Sequence, residues 1–177
     1  MSVKNSYPEL PELNYLKTKV EMGEVVYYLK SLSVPAPVKI AAYVMFRNES
    51  ANGTAGINHN YLGIQADSGR WADHLAVHFV GTIVKNENMT GNQRRFLAFK
   101  SYEGSLAFLI DRIKARGLFV GGTTNKVVKM QINTPETWVL AYWREWVTGN
   151  AKAQIPDKER SGLLKMYQQG EQIFNKN

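Results

Sequence analysis

Apolar residues recur at helical spacing after Pro35 and lead to a single carboxylate. Pro37 suits the first turn of such a helix. The apolar stripe consists of Val38, Ala41, Ala42, Met45 and Phe46. By the same period Glu49 falls on the core-facing side. Because burial of a lone charge is costly, this carboxylate is either paired, neutral or at the floor of a cleft. The alternative is a residue at a fraying helix end that points into solvent.

A loop rich in glycine and asparagine, ANGTAGINHN, follows this helix at residues 51–60. Such residues accept positive φ, which suits either a chain that wraps closely around another group or an ordinary turn. The chain then returns to the core with Tyr61, Leu62 and Ile64. Its other prominent side chains are three polar ones and one large flat aromatic one: Asn60, Gln65, Asp67 and Trp71.

A β-hairpin is predicted from Leu75 to Phe99. Apolar and polar residues alternate in its first half, and the segment KNENMTGN between the halves has turn chemistry. Glu87 lies near the tip of this hairpin.

Four further helices are predicted by apolar periodicity and by capping residues. Ser101 is an N-cap and Gly117 a terminator for one of them, and Thr134 and Pro135 start another. Their ranges are Val20–Leu32, Tyr102–Arg116, Thr134–Val147 and Ile155–Phe174. The aromatic residues of the third range are interpreted as core rather than as a platform for sugars. We therefore expect an N-terminal arm over residues 1–19 and a single domain over residues 20–177.

Composition narrows the classes of protein that remain. A chain of 177 residues with 44% hydrophobic content can bury one sizeable core. The sequence has no cysteine, which excludes disulfides and thiolate chemistry. It shows no signal-peptide pattern and no uncharged stretch of membrane-spanning length, so we expect synthesis in the cytoplasm and no transmembrane segment.

A formal net charge of +7 implies affinity for polyanions, whether nucleic acid, acidic cell-wall polymer or membrane surface. Several of the basic residues cluster around the predicted helix Tyr102–Arg116 and the loop that follows it. They are Lys100, Arg112, Lys114, Arg116, Lys126 and Lys129. A solvated helix face is the simpler interpretation of this cluster.

The sequence predicts no metal site and no cofactor. His74 and His78 are four residues apart, but no HExxH motif frames them, and on a strand they would not converge as helical ligands do. His59 stands alone in the loop. The nucleophile pattern GxSxG and the phosphate loop GxxxxGK[ST] are absent as well. Acid–base chemistry by carboxylates is what remains.

Three segments in order resemble the glucosaminidase-type peptidoglycan hydrolases of the lysozyme-like superfamily. They are FRNES on the helix, HNYLGIQ after a short loop, and FKSYEGSLAFLIDRI after the hairpin. The resemblance covers about half the chain, from about Pro37 to Gly122. It implies an α+β, mainly helical, lysozyme-like fold with a small β-hairpin beside the active-site cleft.

The resemblance also implies roles for individual residues. Glu49 would be the general acid that protonates the glycosidic oxygen, a task for which an apolar pocket prepares a carboxyl group by raising its pKa. Glu87 is the nearest candidate for a second carboxylate, and Asp67 is an alternative base or water positioner. The residues expected to bind substrate are Asn60, Tyr61, Gln65, Trp71 and Tyr102.

The expected function is therefore that of a bacteriolytic, N-acetylglucosaminidase-like glycoside hydrolase acting on the glycan strands of bacterial peptidoglycan. The loop between Glu49 and Asn60 is shorter than in typical glucosaminidases, which leaves open a lytic transglycosylase or a muramidase on the same fold. A non-catalytic module that binds glycan or nucleic acid is the further alternative, although no nucleic-acid-binding motif appears and no nucleic acid is expected. Without a signal peptide, the protein would reach the cell wall as a phage lysin or a secreted effector, with an export or lysis partner.

Overall fold

The chain combines α-helices with short antiparallel strands, which confirms the predicted α+β class. The computed structural model describes residues 10–66 and 71–176. Every helix in these ranges is too short or too polar to cross a lipid bilayer. The elements, in chain order, are β1 (Lys17–Thr18), α1 (Met22–Ser31), α2 (Ala36–Glu49), β2 (Gly56–Ile57), a 3-10 helix (Asp73–His78), β3 (Phe79–Asn86), β4 (Gln93–Phe99), α3 (Tyr102–Arg116), α4 (Pro135–Tyr142), a π-helical turn (Trp143–Val147) and α5 (Asp157–Phe174).

Helix α2 ends at Glu49 and is buried over most of its surface. The five residues of the predicted apolar stripe are all buried, which confirms that face. Ile40, Tyr43 and Val44 are buried as well, so apolar contact extends beyond the predicted stripe. A helix that is apolar on most sides belongs in a core rather than at a surface.

Strands β3 and β4 form the predicted hairpin, with Phe79 opposite Phe99 at its base. The residues before Phe79 were predicted to extend the first strand, and this is wrong, because they form the 3-10 helix. This tight turn buries Leu75 and leaves Val77 62% exposed. The turn, and not strand alternation, is what brings Leu75 into the core.

Residues 10–19 are the described part of the predicted arm, and they add backbone pairing at two places. Thr82 of β3 donates its N–H to the Pro11 carbonyl oxygen at 2.8 Å and accepts the Leu13 N–H at 2.7 Å. Further along the arm, β1 pairs antiparallel with β2. A register shift between Phe79 and Gly81 puts Thr82 opposite the buried Leu97, so Thr82 is buried although strict alternation from Phe79 places it on the outward face. Strands of two residues, such as β1 and β2, leave no periodic pattern in a sequence.

The chain divides into two compact units. Unit 1 comprises Met1–Val25 and Phe46–Phe108, and unit 2 comprises Val26–Met45 and Leu109–Asn177. In unit 1 the Phe79 ring lies edge-on to Trp71 and Phe99, with ring centroids 5.1 and 5.4 Å away. The buried cluster around these rings consists of Ile64, Ala66, Trp71, Leu75, Phe79, Leu97, Phe99 and Phe108.

In unit 2 the aromatic helix α4 supplies core residues, as predicted. Thr134 caps the helix by accepting the Thr137 N–H, and Pro135 occupies its first turn, so both predicted start signals are confirmed. The ring of Trp138 stacks on that of Tyr142 with centroids 5.2 Å apart, and both side chains are fully buried. Stacked and buried rings such as these stabilise a core by their large apolar area.

The predicted helix ends differ from the observed ones in unit 2. Helix α4 ends at Tyr142 and continues as the π-helical turn to Val147. Helix α5 begins at Asp157 rather than at Ile155, because Pro156 disfavours a helical backbone in the residue before it. Helix α3 has the predicted bounds, and Gly117 with φ +66° ends it.

Candidate active site

Glu49 is the last residue of α2, and its side chain is partly exposed. Its surroundings are fixed by two fully buried neighbours in sequence, Phe46 and Ser50. The Ser50 hydroxyl donates to the Phe46 carbonyl oxygen and accepts the Gly53 N–H at 2.8 Å. This hydroxyl satisfies a carbonyl group at the helix end and fastens the following turn to it. Glu49 is thus carried on a rigid support.

The loop after Glu49 adopts the left-handed backbone that its composition suits. Ala55 donates its N–H to the Ser50 carbonyl oxygen at 2.9 Å, which closes the first turn of the loop. The residues with positive φ are Ala51 (49°), Asn52 (58°), Gly53 (84°), Asn58 (47°) and His59 (58°). A left-handed alanine costs about 1–2 kcal/mol, so the loop is held in place by its surroundings rather than by local preference.

Gly53→Ala is expected to lower the free energy of unfolding by about 2–4 kcal/mol. Gly53 has φ +84°, and a Cβ atom there would lie 2.2 Å from the Val20 carbonyl oxygen. Gly63→Ala is the matched control, because Gly63 has φ +62° but no described atom within 4 Å of an added Cβ. Its expected loss is about 1 kcal/mol. Urea unfolding measures both, and equal losses would contradict the importance of the close approach to Val20.

The side chain of Asn60 holds the turn that follows the loop by hydrogen bonds to backbone groups. Its side-chain Nδ2 donates to the carbonyl oxygens of Ile64 and Leu97, each at 2.9 Å. Its Oδ1 accepts the N–H groups of Leu62 at 3.3 Å and Ile64 at 3.1 Å. Backbone groups therefore use both ends of this buried amide. The predicted contact between Asn60 and substrate would have to displace one of these bonds.

Tyr61 and Trp71 were predicted to bind substrate, but the structure places both rings in the core of unit 1. Tyr61 is 1% exposed, its ring centroid lies 5.2 Å from that of Phe46, and burial raises the pKa of its hydroxyl. Its N–H donates to Ser105 Oγ at 3.2 Å. The sequence analysis missed Ser105, whose only signal is a small hydroxyl among apolar residues on α3. Trp71 is 9% exposed within the aromatic cluster, so its face is not an open platform.

Gln65 and Glu87 are brought together although 22 residues separate them. Gln65 Nε2 donates to Glu87 Oε1 at 3.0 Å. The segment that holds Gln65 runs beside β4, where the Ala66 N–H donates to the Arg95 carbonyl oxygen at 2.7 Å. This pairing extends the hairpin by one row of backbone and places Gln65 beside the turn that carries Glu87.

Among the described residues, three side chains hold Glu87, and Gln65 is one of them. Thr90 Oγ1 donates to its Oε2 at 2.6 Å, and Arg94 Nε lies 3.7 Å from the same oxygen. The hydrogen bonds from Thr90 and Gln65, with a smaller contribution from Arg94, lower the pKa of Glu87 although burial opposes them. The carboxyl group is therefore ionised at neutral pH. The sequence analysis missed both Thr90 and Arg94. Only Thr90 had a local signal, because it lies three residues after Glu87 in a predicted turn.

Tyr102 is the first residue of α3, which is the position predicted for it at the start of that helix. Its side chain is partly exposed, and its hydroxyl donates to the Glu24 carbonyl oxygen at 3.4 Å. Its contact with substrate stays a prediction. Asp67, the alternative second carboxylate, lies outside the described residues.

A cleft of about 290 Å³ lies in unit 1 beside the loop that follows Glu49. Its lining is Tyr15, Lys17 and residues 54–57. Tyr15 is 53% exposed, and Ala55 is tied to Ser50 by the backbone bond described above. An exposed aromatic ring next to a lysine offers an apolar surface together with a positive charge.

The described residues contain no group of three or more acidic or histidine side chains that could hold a metal ion. His78 ends the 3-10 helix instead of lying on a strand, contrary to the prediction. Burial, with the nearby positive charge of Lys100, lowers the pKa of its imidazole.

Comparison of the chain with protein-family models, with curated proteins and with solved structures found no match.

Proposed function

We propose that the chain cleaves the glycan strand of bacterial peptidoglycan, with Glu49 as the general acid. The observation that carries this proposal is the hydrogen bond between Gln65 and Glu87 at 3.0 Å. Gln65 belongs to the segment whose Tyr61 packs on Phe46, at the end of the helix that bears Glu49. The elements that carry Glu49 and Glu87 are therefore linked within unit 1 by the contacts of Tyr61 and Gln65.

Glu49 suits the role of proton donor to the leaving oxygen. Its side chain is partly exposed at the end of α2, next in the chain to the fully buried Ser50. The part that remains exposed gives a glycosidic oxygen access to the proton. General acid catalysis of this kind typically contributes about 10²- to 10⁴-fold to a rate.

Glu87 suits the complementary role, because its lowered pKa keeps it negatively charged. A fixed negative charge can activate a water molecule as a base or stabilise the positive charge that develops on the sugar. The bonds from Gln65, Thr90 and Arg94 would orient the carboxylate for either task.

Glu87→Gln is expected to reduce the clearing of a purified peptidoglycan suspension by about 10²-fold. The variant removes the negative charge but keeps the shape of the side chain. Glu12→Gln is the matched control, because Glu12 is an exposed carboxylate of the same unit that faces Arg95 at 3.8 Å. It should leave the rate unchanged. The wild-type rate should also persist down to below about pH 4.5, the ordinary pKa of a glutamate, because Glu87 stays ionised there.

A lytic transglycosylase is the second candidate, and one observation favours it. The Glu87 oxygens already accept two hydrogen bonds from within the protein, which restricts their contact with an attacking water. In that reaction the 6-hydroxyl group of the sugar attacks instead, and one acid is enough. Mass analysis of the products decides: reducing ends support the hydrolase, and anhydro ends with full activity of Glu87→Gln support the transglycosylase. Binding to peptidoglycan without any cleavage by the wild type would overturn both.

A further inference from the structure

The net positive charge of the chain comes from unit 2. Unit 2 holds 13 of the 22 lysine and arginine residues and 6 of the 15 acidic residues, which gives it a formal charge of +7. Unit 1 holds the remaining 9 basic and 9 acidic residues and is formally neutral. The unit that carries Glu49 and Glu87 therefore has no net attraction for polyanions, whereas unit 2 does.

Three cations of unit 2 lie in the last two turns of α3 and in the loop that follows it. Arg112 and Arg116 are one helical turn apart on α3, and Lys126 lies in the loop that follows. Burial lowers the pKa of both arginines, and the charge of Arg116 lowers that of Arg112 further. The pKa of Lys126 is lowered first by the charge of Arg116 and then by burial and Arg112. Asn125 Nδ2 donates to the Ala115 carbonyl oxygen at 2.9 Å, which holds the loop that bears Lys126 against the end of α3.

The nearest carboxylates leave a net positive charge at this cluster. Asp111 acts on Arg112, and Glu145 acts on Arg116 and Lys126. The Glu145 oxygens accept the backbone N–H groups of residues 126–128 at 2.7–3.0 Å. Glu145 thus fixes the loop that presents Lys126, and two negative charges oppose three positive ones.

One of the arginines is oriented by an aromatic ring. The Arg116 Cζ atom lies 4.9 Å from the centroid of the Trp146 ring. A guanidinium group held over a ring keeps its planar set of N–H donors in a fixed direction, and that set matches the oxygens of a phosphate group.

We propose that Arg112, Arg116 and Lys126 form a binding site for the phosphate groups of a flexible anionic polymer. A bound phosphate would reduce the repulsion among the three cations, and the planar donors of a guanidinium group can bind two phosphate oxygens at once. The remaining positive charge of unit 2 would attract neighbouring phosphates along the same polymer. The site is independent of Glu49 and does not rest on the proposed glycosidase activity.

The test measures binding of fluorescently labelled polyphosphate to the full-length chain by anisotropy. The double variant Arg116→Gln/Lys126→Gln removes two charges from the site, and Lys152→Gln/Lys158→Gln removes two exposed charges elsewhere in unit 2. We expect the site variant to weaken binding by about 30-fold or more and the control by about 3-fold or less. The slope of log affinity against log salt concentration should fall by about 1–2 only for the site variant. Equal weakening by both variants would overturn the site.

Four further measurements test the proposal. Lys126→Gln alone changes an exposed residue and should weaken binding about 5-fold, which decides the matter if the double variant fails to fold. Arg116→Lys keeps the charge but loses the planar donor set, and full retention of affinity would overturn the role of the guanidinium. Equal or tighter binding of poly-glutamate would overturn the preference for phosphate, and tighter binding of duplex DNA would overturn the flexible polymer as partner.

Discussion

Replacement of Glu49 by glutamine is expected to slow glycan cleavage by about 10²- to 10⁴-fold, the contribution that a general acid makes. Glutamine keeps the size and polarity of the side chain but has no proton to give to a leaving oxygen. The fold should persist, because the Ser50 hydrogen bonds that hold the helix end do not involve the Glu49 side chain. The measurement is the initial rate of clearing of purified peptidoglycan, together with mass analysis of the released ends.

Glu21→Gln is the control for this experiment, because Glu21 is an exposed acid of the same unit. It should clear peptidoglycan at the wild-type rate. Thermal unfolding of both variants checks that any loss of activity is chemical. Clearing by Glu49→Gln at the wild-type rate would remove Glu49 from the mechanism, and with it the proposed function.

Glu145→Ala is expected to lower the free energy of unfolding by about 2–4 kcal/mol, because backbone donors of residues 126–128 lose their acceptors. The Glu145 carboxylate is 2% exposed and sits in the π-helical turn. Its loss would leave these N–H groups without partners unless the loop moves outward into water. Urea-induced unfolding measures the change.

Glu159→Ala is the control for Glu145→Ala, because Glu159 is an exposed acid in the first turn of α5. Its expected effect is about 1 kcal/mol or less, the size of an interaction with a helix end. Glu145→Gln should fall between the two, since its amide oxygen still accepts while its NH₂ group faces a backbone donor. A loss for Glu145→Ala no larger than that of the control would show that the loop does not depend on this carboxylate.

The parts of the fold that were predictable are those that local sequence specifies. Periodicity placed α2 and α3 with ends correct to within a residue, and Thr134 with Pro135 marked the start of α4. The alternating residues before Glu87 indicated the hairpin. In each of these cases the signal and the structure lie within the same few residues.

The parts that were not predictable depend on partners far away in the chain. Thr82 exchanges backbone hydrogen bonds with Pro11 and Leu13, and Tyr61 is buried because it meets Phe46 and Ser105. An exposed aromatic ring and a buried one have the same appearance in a sequence. Glu145 illustrates the same point, because its partners lie in a loop 17–19 residues earlier.

The candidate site shows both behaviours. Glu49 is at the end of a periodic helix, so its position could be predicted, whereas the bond between Gln65 and Glu87 could not, because 22 residues separate them. Asn60 and Gln65 belong to one short motif, but their side chains have different structural roles. Asn60 satisfies the backbone inside the turn, and Gln65 reaches the hairpin.

The pairing of the arm with Thr82 affects how the hairpin meets other copies of the chain. An uncovered strand edge presents unpaired N–H and C=O groups that can template pairing with a second molecule. At Thr82 the arm takes those groups on one side of β3, and at Phe96 residue 65 does so on the far side of β4. The arm and residues 64–66 therefore occupy strand-edge groups that could otherwise pair with a second copy of the chain.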